Sequence, residues 1–285
     1  TTNIPGSGDA LSKVRHAFRC MGFLGDTGCG FEQPMKASYR ALSPALGVNP
    51  GFLRNDPACK TGRQDAILGV IYLANEDDCS TDIWGLFDPS QQGLHDPLGP
   101  LSSFRCFEFG VTCDCPGKAK CDRYYAGLRK NCKPGGQYLS NVQGGISFLR
   151  TLKNSPVLDA AGKCTAWANP ERVVLAAIAG PAEPVQVVQT SGRPSLKTSC
   201  TTSKGIDAFP AVRLKALVRP FAAPLTAKEV ADIKSKKKII PYFVDSAGKW
   251  RDEPFVSICT TDFRPHMRRF AERLNKARGT KCVGP

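Results

Sequence analysis

The sequence has few histidines and no long apolar run. Its three histidines, His16, His95 and His266, are far apart, so the sequence shows no local Cys–His pair of the kind that forms a nucleophilic site. No apolar stretch approaches the roughly 18 residues of a membrane-spanning helix, which predicts no membrane span. Residues 25–30 are rich in glycine but lack the Gly-Lys-Ser/Thr ending of a P-loop, so we interpret them as a disulfide-tied turn at a helix start.

Acidic residues are outnumbered by basic ones. The 285 residues include 25 Asp and Glu against 39 Lys and Arg, a net charge of +14. Such an excess favours acidic partners, although it also simply keeps a protein soluble. Few aromatic residues alternate with the basic ones, which disfavours nucleic acid. We predict that six residues contact an anionic surface such as an envelope polymer, with a solvated helix face as the alternative: Lys236, Lys237, Lys238, Arg264, Arg268 and Arg273.

Cysteine, by contrast, is abundant. Thirteen cysteines are scattered along the chain, mostly singly, which is typical of a secreted, disulfide-bonded protein. The odd number means that at least one thiol is free or pairs with another polypeptide. Cys113, Cys115 and Cys121 lack standard zinc spacing and a nearby histidine, so disulfides are favoured there over zinc. The first residue is Thr1 rather than Met, and we expect a mature or processed form, secreted or on the outer cell surface.

One stretch organises the predicted fold. Residues 66–75 are mostly apolar, and neither alternation nor a helical stripe is visible within them. We therefore predict that residues 67–73 form a strand covered on both faces, as in a parallel sheet flanked by helices. Glu76, Asp77 and Asp78 follow directly, and they would lie beyond the carboxyl end of that strand, where open sheets bind ligands.

Helices and strands alternate along the rest of the chain. Helices are predicted over residues 10–20, 31–46, 142–153, 209–221, 226–240 and 263–277, and strands over residues 171–180, 184–189 (a short edge strand) and 255–259. The segment from about 80 to 142 has weak periodicity, and we expect a disulfide-stapled insertion that lacks a core of its own. This order predicts a single α/β domain over residues 1–285, with a mostly parallel sheet flanked by helices.

Several phrases resemble one known family. They are residues 18–20 (FRC) with 25–33 (GDTGCGFEQ), 51–54 (GFLR), 75–80 (NEDDCS), 98–101 (LGPL) with 103–111 (SFRCFEFGV), and 177–181 (AIAGP). Together, over roughly residues 11–282, they resemble the von Willebrand factor A-like, cysteine-rich proteins of myxobacteria and related bacteria, which are secreted or lipid-anchored. The resemblance implies a Rossmann-like sheet that binds its ligand at the carboxyl edge.

The resemblance also implies a divalent-cation site built by three loops. The family's first loop carries an Asp-x-Ser-x-Ser motif, which this sequence does not contain. Thr27 matches the threonine of the second loop, and Asn75 stands where the third loop has an aspartate. An amide oxygen can ligate Ca²⁺ or Mg²⁺ without the charge of a carboxylate, for which Glu76 or Asp77 would compensate. We therefore predict a degenerate cation site at these four residues; the alternative role of the acids is to cap the next helix from a solvated loop.

The family's first strands and first helix have no counterpart in this sequence. Without them, residues 67–73 would present a long apolar edge, which folded proteins avoid. Either a separate N-terminal fragment of the same precursor completes the sheet, or the domain is remodelled. We predict a secreted or cell-surface binding or adhesion module that recognises a protein or an envelope polymer. The alternatives are a structural subunit of an extracellular assembly and a secreted hydrolase.

Overall fold

The structure is a computed structural model that describes residues 9–22, 30–55, 66–117, 121–122, 125–136, 138–158, 161 and 163–278. The chain divides into two compact units, Thr1–Gly30 and Phe31–Pro285. In the first unit, Asp9 accepts a hydrogen bond from the Ser12 N–H at 3.0 Å, which caps a helix. The expectation of a single domain over the whole chain stays a prediction.

The described residues form seven α-helices, four short 3₁₀ helices and thirteen strands. The α-helices are α1 (Ala10–Gly22), α2 (Pro34–Leu42), α3 (Phe104–Gly110), α4 (Val142–Arg150), α5 (Val212–Val218), α6 (Ala227–Lys234) and α7 (Arg264–Arg278). The strands are β1 (Leu68–Leu73), β2 (Val111–Asp114), β3 (Gly127–Pro134), β4 (Asn154–Leu158), β5 (Cys164–Ala168), β6 (Val173–Ala179), β7 (Val185–Thr190), β8 (Arg193–Leu196), β9 (Cys200–Thr201), β10 (Asp207–Ala208), β11 (Tyr242–Val244), β12 (Trp250–Asp252) and β13 (Phe255–Ser257). Each of the six predicted helices overlaps an observed one. Among the described helices, none combines the length and the apolar character needed to cross a bilayer.

A parallel sheet of order β1-β6-β13 lies in the larger unit. Strand β6 is central and buried on both faces, which confirms the strand predicted over residues 171–180. Among the described residues β1 pairs only with β6, so it lies at the edge of the sheet. Ile71 is 43% exposed and Leu73 is 68% exposed. The prediction that residues 67–73 are covered on both faces is therefore wrong.

The two faces of this sheet differ in their cover. Leu68 and Tyr72 of β1 join a core formed with apolar side chains of α2, α4 and α5. Helix α7 contacts the opposite face at Gly69, where an added Cβ would lie 3.3 Å from side-chain carbons of both Phe270 and Leu274. Ile71, two residues farther along β1, is exposed on that same side because strand side chains alternate between faces. The cover by α7 therefore reaches only the beginning of β1.

A second, curled antiparallel sheet has the order β2-β3-β7-β8. Strand β7 lies between β3 and β8, so the prediction that residues 184–189 form an edge strand is wrong. The insertion from about 80 to 142 supplies β2 and β3, and this contribution makes β7 an interior strand. The insertion also takes part in a small core of Cys79, Leu86, Leu98, Cys106 and Leu139, contrary to the expectation that it has none.

One buried guanidinium organises the irregular part of the insertion. Arg105, on α3, is 1% exposed and donates hydrogen bonds to the carbonyl oxygens of Leu86 (2.6 Å), Gly99 (2.7 Å) and Pro100 (3.1 Å). It also donates to the carbonyl of Gln91. A single side chain thus shapes the segment from Leu86 to Pro100, which has little regular secondary structure.

The described residues contain four disulfides. They are Cys79–Cys106, Cys113–Cys132, Cys115–Cys121 and Cys200–Cys259. Three of them lie in or next to the insertion, as predicted. Since Cys113, Cys115 and Cys121 are all oxidised, they cannot bind zinc as thiolates. Disulfides of this number form and persist in oxidising compartments, which is compatible with secretion.

Candidate functional site

The segment after β1 turns across the carboxyl edge of the parallel sheet. The carbonyl of Asn75 accepts the Phe209 N–H at 2.8 Å, and the Asn75 side chain donates to the Asp207 carbonyl at 3.3 Å. Gly180, just after β6, permits this approach because a Cβ there would lie 2.0 Å from the Phe209 carbonyl oxygen. Asn75 therefore holds the segment that precedes α5 against the ends of β1 and β6.

Asp77 caps helix α5. Its carboxylate accepts the N–H groups of Arg213 (2.9 and 3.1 Å to the two oxygens), Leu214 (3.1 Å) and Asp78 (2.9 Å). A carboxylate at a helix N-terminus satisfies otherwise unpaired N–H groups and interacts favourably with the helix dipole. Burial raises the pKa of Asp77 to about 6, against the opposing effects of these N–H groups and of the Arg213 charge.

Asp78 is fully buried and caps helix α2. It accepts the Met35 N–H at 2.9 Å and the Ser80 hydroxyl at 2.5 Å. Its other oxygen lies 3.1 Å from Nη2 of Arg213, whose side chain is 2% exposed. Arg213 also donates to the Ser140 carbonyl at 2.6 Å. Two neighbouring acids thus hold the beginnings of two helices. The alternative considered from the sequence was a cap on the next helix from a solvated loop, whereas the helices capped are α2 and α5 and Asp78 is buried.

Glu76, the remaining acid of this segment, has a different environment. Ser103 donates a hydrogen bond to its carboxylate, and Glu32 lies nearby. Burial raises the pKa of Glu76, and the charge of Glu32 raises it further. Burial also raises the pKa of Glu32, although the Glu76 backbone N–H donates to it. Sequence reasoning did not select Glu32, whose signal was its place in the phrase of residues 25–33, just before a helix start.

A pocket of about 230 Å³ opens beside Glu76. Its lining combines three phenylalanines and three prolines with three serines, Glu76 and the exposed Arg193. Phe209 and Pro210 come from the segment that Asn75 holds, and Ser103 and Phe107 come from the insertion and α3. Asp77 also lines the pocket, but its carboxylate is bound to the backbone N–H groups of α5. The pocket can accept a slender group with an apolar stem and a polar or cationic end, because its aromatic walls lie beside the Glu76 carboxylate.

The predicted cation site is only partly assembled in the described residues. Thr27 lies outside them. The Asn75 amide and the Asp77 carboxylate form hydrogen bonds with backbone groups. Of the predicted ligands that the structure describes, Glu76 is therefore the one still available to a cation, and Glu32 lies beside it. Within the described ranges, no group of three or more His, Cys, Asp or Glu side chains could hold a metal ion. Calcium takes about six to eight oxygen ligands, so these residues do not fit a complete protein-built site. A Ca²⁺ or Mg²⁺ site stays a prediction.

Most of the basic residues that were predicted to contact an anionic surface lie close together. Lys236, Lys237 and Lys238 follow α6, and Arg264 and Arg268 lie near the beginning of α7. All of these except Lys236 line one groove of about 390 Å³. The structure thus brings together two basic regions that are separated in sequence. We call this surface the basic groove.

Arg273 does not belong to this surface. It is 8% exposed, it donates to the Leu175 carbonyl at 3.1 Å, and its Nε lies 3.3 Å from Asp252 Oδ2. At about 100° per residue, Arg273 and Arg264 point to opposite sides of a helix, since nine residues separate them. The prediction that Arg273 contacts an external anion is therefore wrong.

A wider groove of about 740 Å³ lies between α2 and α4. Its lining includes Lys36, Tyr39 and Phe148, and the two rings are in contact, with centroids 4.8 Å apart. The Lys36 ammonium is already paired with Asp82 at 2.6 Å. Of the predicted site residues that the structure describes, none lines this groove.

We expect the Asp78–Arg213 pair to be essential for stability. Replacing Asp78 by Asn should lower the free energy of unfolding by about 3 to 5 kcal/mol, because Arg213 would remain buried without its counter-charge. The matched control is Asp82→Asn, whose 81% exposed carboxylate pairs with Lys36 and should contribute less than about 1 kcal/mol. Urea unfolding with the disulfides intact measures both changes. Equal losses in the two variants would contradict this assignment.

The raised pKa of Glu76 predicts a pH-dependent effect of Glu76→Gln. Between the ordinary and the raised pKa, the native state binds more protons than the unfolded state, so the contribution of Glu76 to the unfolding free energy falls as pH rises. The variant should therefore be stabilised relative to wild type near neutral pH and similar to it once both Glu76 and Glu32 are protonated. Thermal unfolding across acidic to neutral pH tests this, with the exposed Glu171→Gln as control. A pH-independent difference would refute the expectation.

Comparison with known proteins identifies no relative from which the role of this site could be inferred. No protein-family model, no curated protein and no solved structure matches the chain. The resemblance to von Willebrand factor A-like proteins therefore depends on the phrases quoted above, and it stays a prediction. The parallel sheet, its flanking helices and the pocket at its carboxyl edge are observed independently of that resemblance.

Proposed function

We propose that this chain is a secreted or cell-surface bacterial binding module, of the von Willebrand factor A-like type, that recognises a protein or an envelope polymer at the carboxyl edge of its parallel sheet. The observation that carries the proposal is the pocket beside Glu76. Glu76, which lines the pocket, and Glu32, which lies near Glu76, both have raised pKa values, so a positive charge brought by a ligand would stabilise their charged forms.

The chemistry of the pocket favours a protein ligand that presents a lysine or arginine. The aliphatic stem of such a side chain would contact Phe107 and Phe209, and its charged end would reach Glu76. Ca²⁺ or Mg²⁺ is the second source of positive charge, bound by Glu76 and Glu32 together with water or ligand oxygens. Secretion is supported by the four disulfides.

Two rival functions make different predictions. A structural subunit of an extracellular assembly would self-associate through a surface that does not depend on Glu76. A hydrolase would carry an activated nucleophile, which serine- or cysteine-directed covalent probes would label. Cys106, which lines the pocket, is bonded to Cys79 and is not such a nucleophile.

Binding to immobilised peptides tests the proposal. On an array of peptides that each carry one lysine or arginine, the wild-type chain should bind a subset, and Glu76→Gln should weaken that binding about tenfold through loss of a charge-assisted hydrogen bond. Glu171→Gln makes the same chemical change in the short helical turn just before β6 and should bind like wild type. Repeating the assay with added Ca²⁺ tests the cation. Unchanged binding by Glu76→Gln would refute the role of this pocket.

The free edge of β1 favours a second protein contact. Within the described part of the chain, no strand pairs with the outer edge of β1, and the Ile71 and Leu73 side chains are exposed on the sheet face next to that edge. Such an edge is a template for strand addition. We therefore propose that a strand from a protein partner, such as an N-terminal fragment of the same precursor, adds to β1 and completes the sheet.

Native mass spectrometry tests the added strand. Protein purified from its source under non-denaturing conditions should have a mass above the 30.8 kDa of this chain. Leu73→Lys should release the partner by placing a charge at the new contact. Leu46→Lys changes a residue of similar exposure (48% against 68%) away from the sheet and should not release it. A lone 30.8 kDa species would contradict the proposal.

A further inference from the structure

The loop after α6 presents an isoleucine to solvent. Ile239 is 84% exposed, whereas its neighbour Ile240 is 6% exposed and anchors the loop. The start of the loop is also held, because the Lys236 N–H donates to the Ile233 carbonyl at 3.0 Å and the Lys237 N–H donates to the Asp232 carbonyl at 2.9 Å. Ile239 is therefore displayed by a loop that is fixed at both ends.

Positive charge surrounds this isoleucine. Lys236, Lys237 and Lys238 precede it directly and are all exposed. The lining of the basic groove contains five cations (Lys237, Lys238, Arg264, Arg268 and Arg269) against two acids (Asp262 and Glu272). Lys238 and Arg264 lie beside these two acids and Arg269 pairs with Glu229 and Asp252, so Lys237 and Arg268 supply the excess positive charge of the lining. Ile239 itself lines the same groove. An apolar side chain and a cluster of cations thus share one surface.

We propose that the basic groove and Ile239 form a docking surface for an anionic phospholipid bilayer. Ile239 enters the boundary between headgroups and acyl chains, and Lys236, Lys237, Lys238 and Arg268 contact lipid phosphates. The exposed isoleucine favours a lipid surface over an acidic polysaccharide, because a hydrated sugar polymer offers no apolar layer for it. Juxtamembrane lysines and inserted apolar side chains are the two terms that bind peripheral proteins to membranes.

This surface is separate from the pocket beside Glu76, since the two share no lining residue. Vesicle binding should therefore be unchanged in Glu76→Gln. The membrane proposal and the proposed peptide-binding function can consequently fail independently of each other.

Co-sedimentation with vesicles is the test. The chain should bind vesicles of phosphatidylcholine with about one third phosphatidylglycerol and should not bind vesicles of phosphatidylcholine alone. Its binding to the anionic vesicles should weaken at high salt. Ile239→Asp should weaken binding about tenfold or more. The control Ile206→Asp changes another isoleucine, 53% exposed, and should have no effect.

Two double variants distinguish the contribution of the groove lysines from the effect of the protein's net charge. Lys237→Gln with Lys238→Gln should weaken vesicle binding about fivefold for each lysine removed. Lys197→Gln with Lys204→Gln removes the same charge from exposed residues outside the groove and should have a much smaller effect. Equal losses in both pairs, an unaffected Ile239→Asp variant, or binding to dextran sulfate but not to the mixed vesicles would overturn the proposal.

Discussion

The buried ion pair between Asp78 and Arg213 is the interaction on which the arrangement at the carboxyl edge depends. Removing two charges from water is costly, and the cost is offset only where further hydrogen bonds complete both groups. Here the Met35 N–H and the Ser80 hydroxyl donate hydrogen bonds to the Asp78 carboxylate, and the Arg213 guanidinium donates one to the Ser140 carbonyl. The end of β1, the beginnings of α2 and α5 and the end of the insertion are thereby fixed at one point.

This constraint assigns different tasks to consecutive acids. Asp77 and Asp78 are committed to helix caps, and a ligand could recruit them only by breaking those caps. Glu76 accepts its hydrogen bond from Ser103, a residue of the pocket wall, so its carboxylate faces the cavity. The two caps therefore make Glu76 the acid of this segment that is best placed for recognition, and they position it on a rigid base.

Local pattern predicted six of the seven α-helices and the buried strand β6, because amphipathic stripes and doubly apolar runs are encoded within a few residues. It missed α3, which lies in the weakly periodic insertion. It did not predict that β1 is an edge strand, since strand neighbours are decided by contacts distant in sequence. The roles of the acids were hidden for the same reason: the hydrogen bond from Arg213 to Asp77 spans 136 residues. Arg273 was wrongly grouped with Arg264 and Arg268, because a run of basic residues in a helix does not show which of them faces the core. Glu32 was missed because only folding brings it beside Glu76.

The hydrogen bonds from Arg105 affect which substitutions the segment from Leu86 to Pro100 can tolerate. They hold this segment through carbonyl oxygens, and every amino acid supplies the same carbonyl. Asp88, Gln92 and Asp96 also hold this segment, because their side chains hydrogen-bond to its backbone. Exposed side chains that make no such bond can be exchanged while the path of the chain is retained, so the segment offers a fixed backbone on which recognition could be diversified.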